Sequence, residues 1–393
     1  MNAVGIICEY NPFHRGHALH IARAREASGA DYVVCVMSGP FTQRGAPARH
    51  DKWTRAHAAL SCGADLVLEL PVRFACASAQ EFAAGGVGIL ASLGVVSHLS
   101  FGCEAEALPL LSHAAQAMTD ESPAFAEALR EGLDQGMSYP RARAAAVLRS
   151  QPELESALSL PNAALALEYL QAMPQGMIPV PVEREGSGYH DGELSHLSSA
   201  TGVRAALERG DLQAAMDALP APDRFAAAEA QGDLCEEDAL SQALIARLRT
   251  ISAPELSQIS GMDEGLEHRF IAAAQKCSTR KKLIETVKTR RYTWARLSRL
   301  STLALLGVTR ELAQAYPAPV YARILGFRRS AAPLLRAIAD RGSIPLITKA
   351  ADYDQTHPLY ALDARAQDLW SLGCAEPSLR AGGRDFTTPP VIL

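Results

Sequence analysis

The sequence predicts an α/β protein, with a parallel-sheet domain over residues 1–222 and a mainly α-helical domain over 223–393. Three observations predict it. Short apolar runs alternate with amphipathic segments through the first half, as buried strands and their covering helices do. Around 219–225, Leu-Pro-Ala-Pro-Asp-Arg-Phe interrupts that rhythm. Beyond it, segments of helical period follow one another at 227–249, 263–276, 278–306, 308–314 and 318–326.

The elements follow in order. Val4 to Cys8 has the length and apolarity of a buried strand, Asn11-Pro12 breaks it, and helical spacing resumes after Gly16. A helix over 20–28 leads to a second strand, Asp31 to Met37. Ser38 to Gly45 is then a loop leaving the carboxyl end of that strand, where open α/β sheets place ligands. Gln43 and Arg44 in this loop read equally well as functional or as solvated. A helix at 51–62, a strand from Asp65 to Leu70 closed by Pro71, a helix at 80–94 and a strand from Val95 to Phe101 continue the alternation. Gly85-Gly86-Val87-Gly88 follows no strand, so these glycines read as close packing rather than a dinucleotide fingerprint. Residues 105–150 are Ala-rich and helical, and a helix at 163–173 starts after Pro161-Asn162. Met177 to Val182 is a short strand whose Pro179 and Pro181 assign it to a sheet edge. A polar loop, Glu183 to Asp191, precedes a last helix of this half at 201–208. The tail adds a short strand at Pro345 to Thr348 and a final helix.

The chemistry concentrates at the first turn. His14 and His17 are three apart, so they share one side of a helix start, with Gly16 exposing backbone between them. Imidazole donors and free helix N–H groups suit a triphosphate whose pyrophosphate departs as charge builds. A second anion-binding helix start follows at Leu197-Ser198-Ser199-Ala200-Thr201-Gly202-Val203-Arg204. Lys52 and Arg55, at i and i+3, read as a phosphate clamp or equally as a common surface pair.

Bulk properties bound the partners. A net charge of -5 gives no global nucleic-acid signature, so a polyanion must meet a local patch. Such a patch lies between Lys276 and Arg299, where nine Lys/Arg (276, 280, 281, 282, 288, 290, 291, 296 and 299) face one acid, Glu285, with Tyr292 and Trp294 interleaved. A solvated helix face mixes both signs, so this one reads as a footprint for a phosphate backbone. Eight cysteines form no C-x-x-C pair, which argues for a reducing compartment and against structural zinc. No apolar run approaches the roughly 20 residues that span a bilayer, and no signal-peptide pattern opens the chain. A cytoplasmic protein is expected, with no membrane contact and with oligomeric state left open.

Gly5 to His17, Met37 to Gly45, Asp65 to Pro71 and Phe101 to Glu104 together resemble the bacterial tRNA(Met) cytidine acetate ligase family, among the nucleotidyltransferases with an H-x-G-H motif. The likeness continues through Pro161-Asn162, Arg184 to His190, Ser198 to Arg204, Lys288 to Arg299 and Tyr321 to Phe327. It implies a Rossmann-like nucleotidyltransferase domain that activates acetate with ATP as acetyl-adenylate. The acetyl group then passes to N4 of the wobble cytidine, C34, of elongator tRNA(Met), making N4-acetylcytidine. Matching positions imply ATP binding by Ile7, Cys8, Glu9, Tyr10, Asn11, Pro12, Phe13, His14, Arg15, Gly16, His17, His20, Gly102, Asn162, Arg184, Ser198, Ser199, Thr201 and Arg204. His14 and His17 are assigned to the transition state, with Lys52 beside them as a catalytic phosphate neutraliser.

For tRNA, the basic run supplies Arg280, Lys281, Lys282, Lys288, Arg290, Arg291, Arg296 and Arg299. No metal ligand is assigned, although Mg²⁺ accompanying ATP stays open; Asp31 and Glu9 are conceivable contacts, with structural roles preferred. Small departures from the family pattern, Arg15, Cys103 and Ala163-Ala164, remove no phosphate-binding group. Two rivals differ in chemistry: adenylylation of a small phosphorylated metabolite, and a non-catalytic RNA-binding protein with a regulatory nucleotide site.

Overall fold

The structure, a computed structural model, describes residues 1–119, 122–160, 162–183 and 199–393. Its centre is one sheet of strands β1 (Ala3–Cys8), β2 (Tyr32–Ser38), β3 (Leu66–Leu70), β4 (Val96–Gly102), β5 (Ile178–Val182), β6 (Ala322–Phe327), β7 (Leu346–Ile347) and β8 (Val391–Ile392). The order is β5-β4-β1-β2-β3-β6-β7, with β8 also on β6. All pairings are parallel except β3 with β6. The proline-bearing β5 lies at the edge, as the missing N–H donors of Pro179 and Pro181 require.

Period-2 burial sorts the two faces. Val4, Ile6 and Cys8 with Val33, Cys35 and Met37 face α1 (Arg15–Ser28) and α2 (Lys52–Ser61). Val34, Val36, Leu66, Leu68 and Leu70 face the helices Ala79–Ser92 and Ala163–Ala172. The glycines of the former helix are packing glycines: a Cβ on Gly85 would stand 2.4 Å from Phe74, and one on Gly86 2.6 Å from Ile7. A third core, from Leu240 to Trp370, belongs to the helices Ser241–Thr250, Leu266–Ala274, Arg280–Val287, Trp294–Leu306 and Pro358–Leu372.

Three expectations are corrected. Segment 318–326 contains β6 rather than a helix, because its compact apolar run is buried between β3 and β7, where the same pattern suits a strand. The sheet therefore continues past residue 222, and the strand–helix alternation does not stop there. Segment 278–306 is two helices, broken at Lys288 and capped anew by Thr293, whose hydroxyl accepts from Arg296 N–H. As expected, the Ala-rich stretch 105–150 is helical, in Leu108–Ala117, Pro123–Asp134 and Tyr139–Ser150. All eight cysteines are unpaired, and all but Cys62 are buried. Among the described residues no helix is long and apolar enough to cross a membrane.

Candidate active site at the carboxyl ends of β1 and β4

The chain leaves β1 toward β2 and β3 on one side, and then returns to place β4 and β5 on the other. The crevice between β1 and β4 is thus a topological switch point, and the residues after Cys8 line its mouth. Tyr10 takes a positive φ of 49° and turns its ring inward, edge-on to Phe13 at 4.8 Å, with its hydroxyl 3.5 Å from Cys35 Sγ. Burial pushes both the Tyr10 hydroxyl and the Cys8 thiol up. Asn11 Oδ1 accepts from Arg49 N–H at 2.9 Å, ahead of a cis peptide to the buried Pro12. Ile7 packs on Gly86. The side chains of Ile7, Cys8, Tyr10, Asn11, Pro12 and Phe13 therefore build the turn and leave its backbone to meet a ligand.

From His14 to His20 every residue is part-exposed. His14 is the N-cap of α1: Nδ1 accepts from Gly16 N–H at 3.1 Å, while His17 Nδ1 accepts from His14 N–H at 3.2 Å. This is a capping box made by two imidazoles, their centroids 3.7 Å apart and their planes tilted by 31°. Since each Nδ1 accepts a backbone proton, each ring carries its own proton on Nε2. His20 Nε2 lies 3.0 Å from Ser100 Oγ and ties α1 to β4, which ends at Gly102.

The second helix start faces the same turn. Ser199 caps the helix Ala200–Glu208 by accepting from Gly202 N–H at 3.1 Å. Arg204, one turn in, donates to Asn11 O and to Thr201 Oγ1 at 3.4 Å. Burial lowers its basicity while Glu9 opposes that shift. Arg15 reaches Asp217 O at 2.9 Å. Asn162 begins the helix Ala163–Ala172 without a capping hydrogen bond, and Arg184 and Ser198 lie outside the described residues.

Lys52 is corrected. Its ammonium is fully buried, 2.7 Å from Glu69 and 2.6 Å from Asp385, and so has no approach to a phosphate. Arg55 is likewise buried and clamps carbonyls, those of Glu9 at 2.7 Å, Ser38 at 2.9 Å and Gly39. Burial brings its guanidinium down to about 10. The clamp joins the turns that follow β1 and β2. Glu9 itself accepts from Gln43 N–H at 2.6 Å, and burial raises its carboxyl against the pull of Arg44, Arg204 and Arg55. Asp31 pairs with the Met1 amine, away from the crevice. Among the described residues no cluster of three or more His, Cys, Asp or Glu is placed to hold a metal ion.

The basic run divides by burial. Lys281, Lys282, Lys288, Arg290 and Arg291 are exposed, whereas Arg296 and Arg299 are half-buried. Arg280 is corrected: it is buried, donating to Gly45 O at 2.9 Å and to the hydroxyls of Ser298 and Ser301. Folding also brings an acid to the run, since Glu264 pairs with Arg291 and accepts from Tyr292 OH at 2.8 Å. Sequence reasoning missed the Glu9–Gln43 contact, the seat of the Arg44 loop on the helices, and Ser100 as the partner of His20. Only the loop had a signal, its position after β2.

A family model described as HIGH Nucleotidyl Transferase matches residues 1–385. The chain is 35% identical to the tRNA(Met) cytidine acetate ligase of Acetivibrio thermocellus and 35% identical to that of a Geobacillus species, covering all of each pair. A crystal structure of Thermotoga maritima TmcAL bound with alpha-thio ATP superposes over the whole of both chains with a TM-score of 0.91 at 30% identity. Fold, turn and full-length likeness agree: the chain belongs to the tRNA(Met) cytidine acetate ligase family of HIGH nucleotidyl transferases.

Proposed function

We propose that the chain is an ATP-dependent ligase that joins acetate to N4 of the wobble cytidine of elongator tRNA(Met). The observation that carries this reading is the start of α1. There two adjoining imidazoles, each fixed at Nδ1 by a backbone N–H, sit at the switch point of a chain similar throughout its length to such ligases. Acetate is already ionised at pH 7 and needs no base to attack the α-phosphorus. The barrier lies in bringing two anions together and in the charge that pyrophosphate carries away. His14 and His17 donate from Nε2 to that departing charge, aided by the N–H groups of α1. Ser199, Thr201 and Arg204 hold the triphosphate tail, and the family pattern adds Arg184 and Ser198 to that role. The backbone from Ile7 to Phe13, Gly16, and the ends marked by Gly102 and Asn162 complete the ATP site.

In the second step N4 attacks the carbonyl of the mixed anhydride, AMP leaves, and the amine loses a proton. Positioning dominates, because an exocyclic amine is a weak nucleophile. The base must arrive unpaired, as in an anticodon loop, with its backbone held by Lys281, Lys282, Lys288, Arg290 and Arg291. In this division residues 1–222, completed by β6 to β8, carry the ATP chemistry, and the helices beyond 223 grip tRNA. The reaction belongs in the cytoplasm, where acetate, ATP and tRNA meet.

The test is pyrophosphate exchange into ATP with and without acetate, followed by transfer of labelled acetate to tRNA(Met). Acetate-dependent exchange and labelled cytidine are expected. Exchange indifferent to acetate would sink the reading and favour adenylylation of another metabolite.

A further inference from the structure

The loop after β2 touches both the switch-point turn and the basic helices. On one side, Gln43 N–H donates to Glu9 and Gln43 Nε2 to Ala77 O at 2.9 Å. On the other, Arg44 O accepts from Ser298 Oγ at 2.6 Å, and Gly45 O accepts from Thr302 Oγ1 at 2.5 Å and from Arg280. Gly45 has a φ of +80°, and a Cβ there would stand 2.7 Å from Arg299 Cα. Glycine alone lets the loop seat so closely on the helix Trp294–Leu306.

A backbone held this firmly presents one exposed cation, Arg44. Among the described residues its guanidinium has no hydrogen bond or ion pair. Its charge acts on Glu9 and on Arg204 at the crevice. On the helix beneath it, Arg299 and then Arg296 follow, with Arg296 over the Tyr292 ring at 5.1 Å. Arg204, Arg44, Arg299 and Arg296 thus line the way from the crevice to the exposed basic run, with Glu9, Glu208 and Glu237 acting on Arg204 and Glu81 on Arg299. An unpaired guanidinium fork on a pre-ordered loop suits a phosphate, and the cost of ordering is already met by the fold.

We propose that Arg44 binds an RNA backbone phosphate adjacent to the acceptor nucleotide, so that its loop fixes the spacing between the tRNA strand and the adenylate. This rests on the ligase reading above. A phosphate contact sets register without reading sequence, which is the need here: the helices grip, and Arg44 delivers the strand to the crevice. The loop's second anchor, on the basic helices, favours RNA over the ATP phosphates as the ligand.

The experiment uses the full chain with unmodified elongator tRNA(Met), comparing wild type with Arg44→Ala and Arg44→Lys. For Arg44→Ala, acetate-dependent exchange within twofold of wild type is expected, with KM for tRNA raised about tenfold. The slope of log affinity against log salt should fall by about 1. Arg44→Lys should recover the slope and only part of the KM. An unchanged KM and slope in Arg44→Ala overturns the proposal, as does a parallel loss of exchange, which would assign Arg44 to ATP. A wild type without acetate-dependent exchange overturns the ligase reading with it, whereas an active wild type beside an indifferent Arg44→Ala overturns this inference alone.

Discussion

His14 and His17 serve as structure and as chemistry through different nitrogens. Each Nδ1 accepts a backbone N–H within the capping box, which fixes the ring and leaves the proton on Nε2. That separation can be tested. His17→Asn retains an acceptor near the Nδ1 position and so preserves the cap, whereas His17→Gln carries an amide nearer the Nε2 position. His17→Asn should lower acetate-dependent exchange at least 100-fold, the size of losing one transition-state donor, with circular dichroism unchanged. His17→Gln should retain more activity than His17→Asn. Equal exchange in His17→Asn and wild type would reduce the residue to a cap. The pair was legible in the sequence because its spacing is local. The tautomer was not, because it depends on backbone geometry that spacing does not carry.

Between elements, the decisive feature is a buried ion network. Lys52 opens α2, Glu69 lies in β3, Arg323 lies in β6, and Asp385 comes from the tail. Arg323 contacts Glu69 at 3.1 Å and Asp385 more closely, so two cations answer two carboxylates away from water. Breaking such a set by removing one partner strands a buried charge at about 3–5 kcal/mol. Lys52→Met is therefore expected to lower unfolding stability by that amount in urea. Loss of activity with unchanged stability would restore Lys52 to catalysis. The sequence showed Lys52 as a clamp because its counter-charges lie far along the chain. For the same reason 318–326 was misread: its apolar run fits helix and strand alike, and only pairing with β3 chooses. The strands of the first half were legible since each is followed by its own covering helix.

Across the whole molecule, the two halves are joined by ion pairs as well as by the sheet. Arg49, just before α2, grips Glu229 in the helix Asp223–Gln231 at 2.6 and 2.8 Å, and His50 adds a contact at 2.8 Å. Burial alone would raise the Glu229 carboxyl, but Arg49 and His50 outweigh it and hold it at about 2. Burial keeps the His50 imidazole below its ordinary 6.5. The signs agree. A carboxyl depressed by folding contributes stability above its ordinary 4.5 and loses it as pH falls toward 2, and a histidine that resists protonation disfavours the fold below 6.5. Wild type should therefore exceed Glu229→Gln in stability at pH 6 by more than at pH 3, measured by urea unfolding at both. A constant gap would refute the linkage.

The sequence by itself determined the alternation of the first half, the histidine turn, the edge position of β5 and the concentration of cations near Lys288. Each is a local pattern of burial or charge, readable within a few residues. Tertiary structure decided the rest: that β6 closes the sheet from beyond the expected boundary, that Lys52, Arg55 and Arg280 are structural, and that Arg44 stands between crevice and helices. These depend on partners tens to hundreds of residues away, and a cation's role is set by the acids and carbonyls that folding brings within reach.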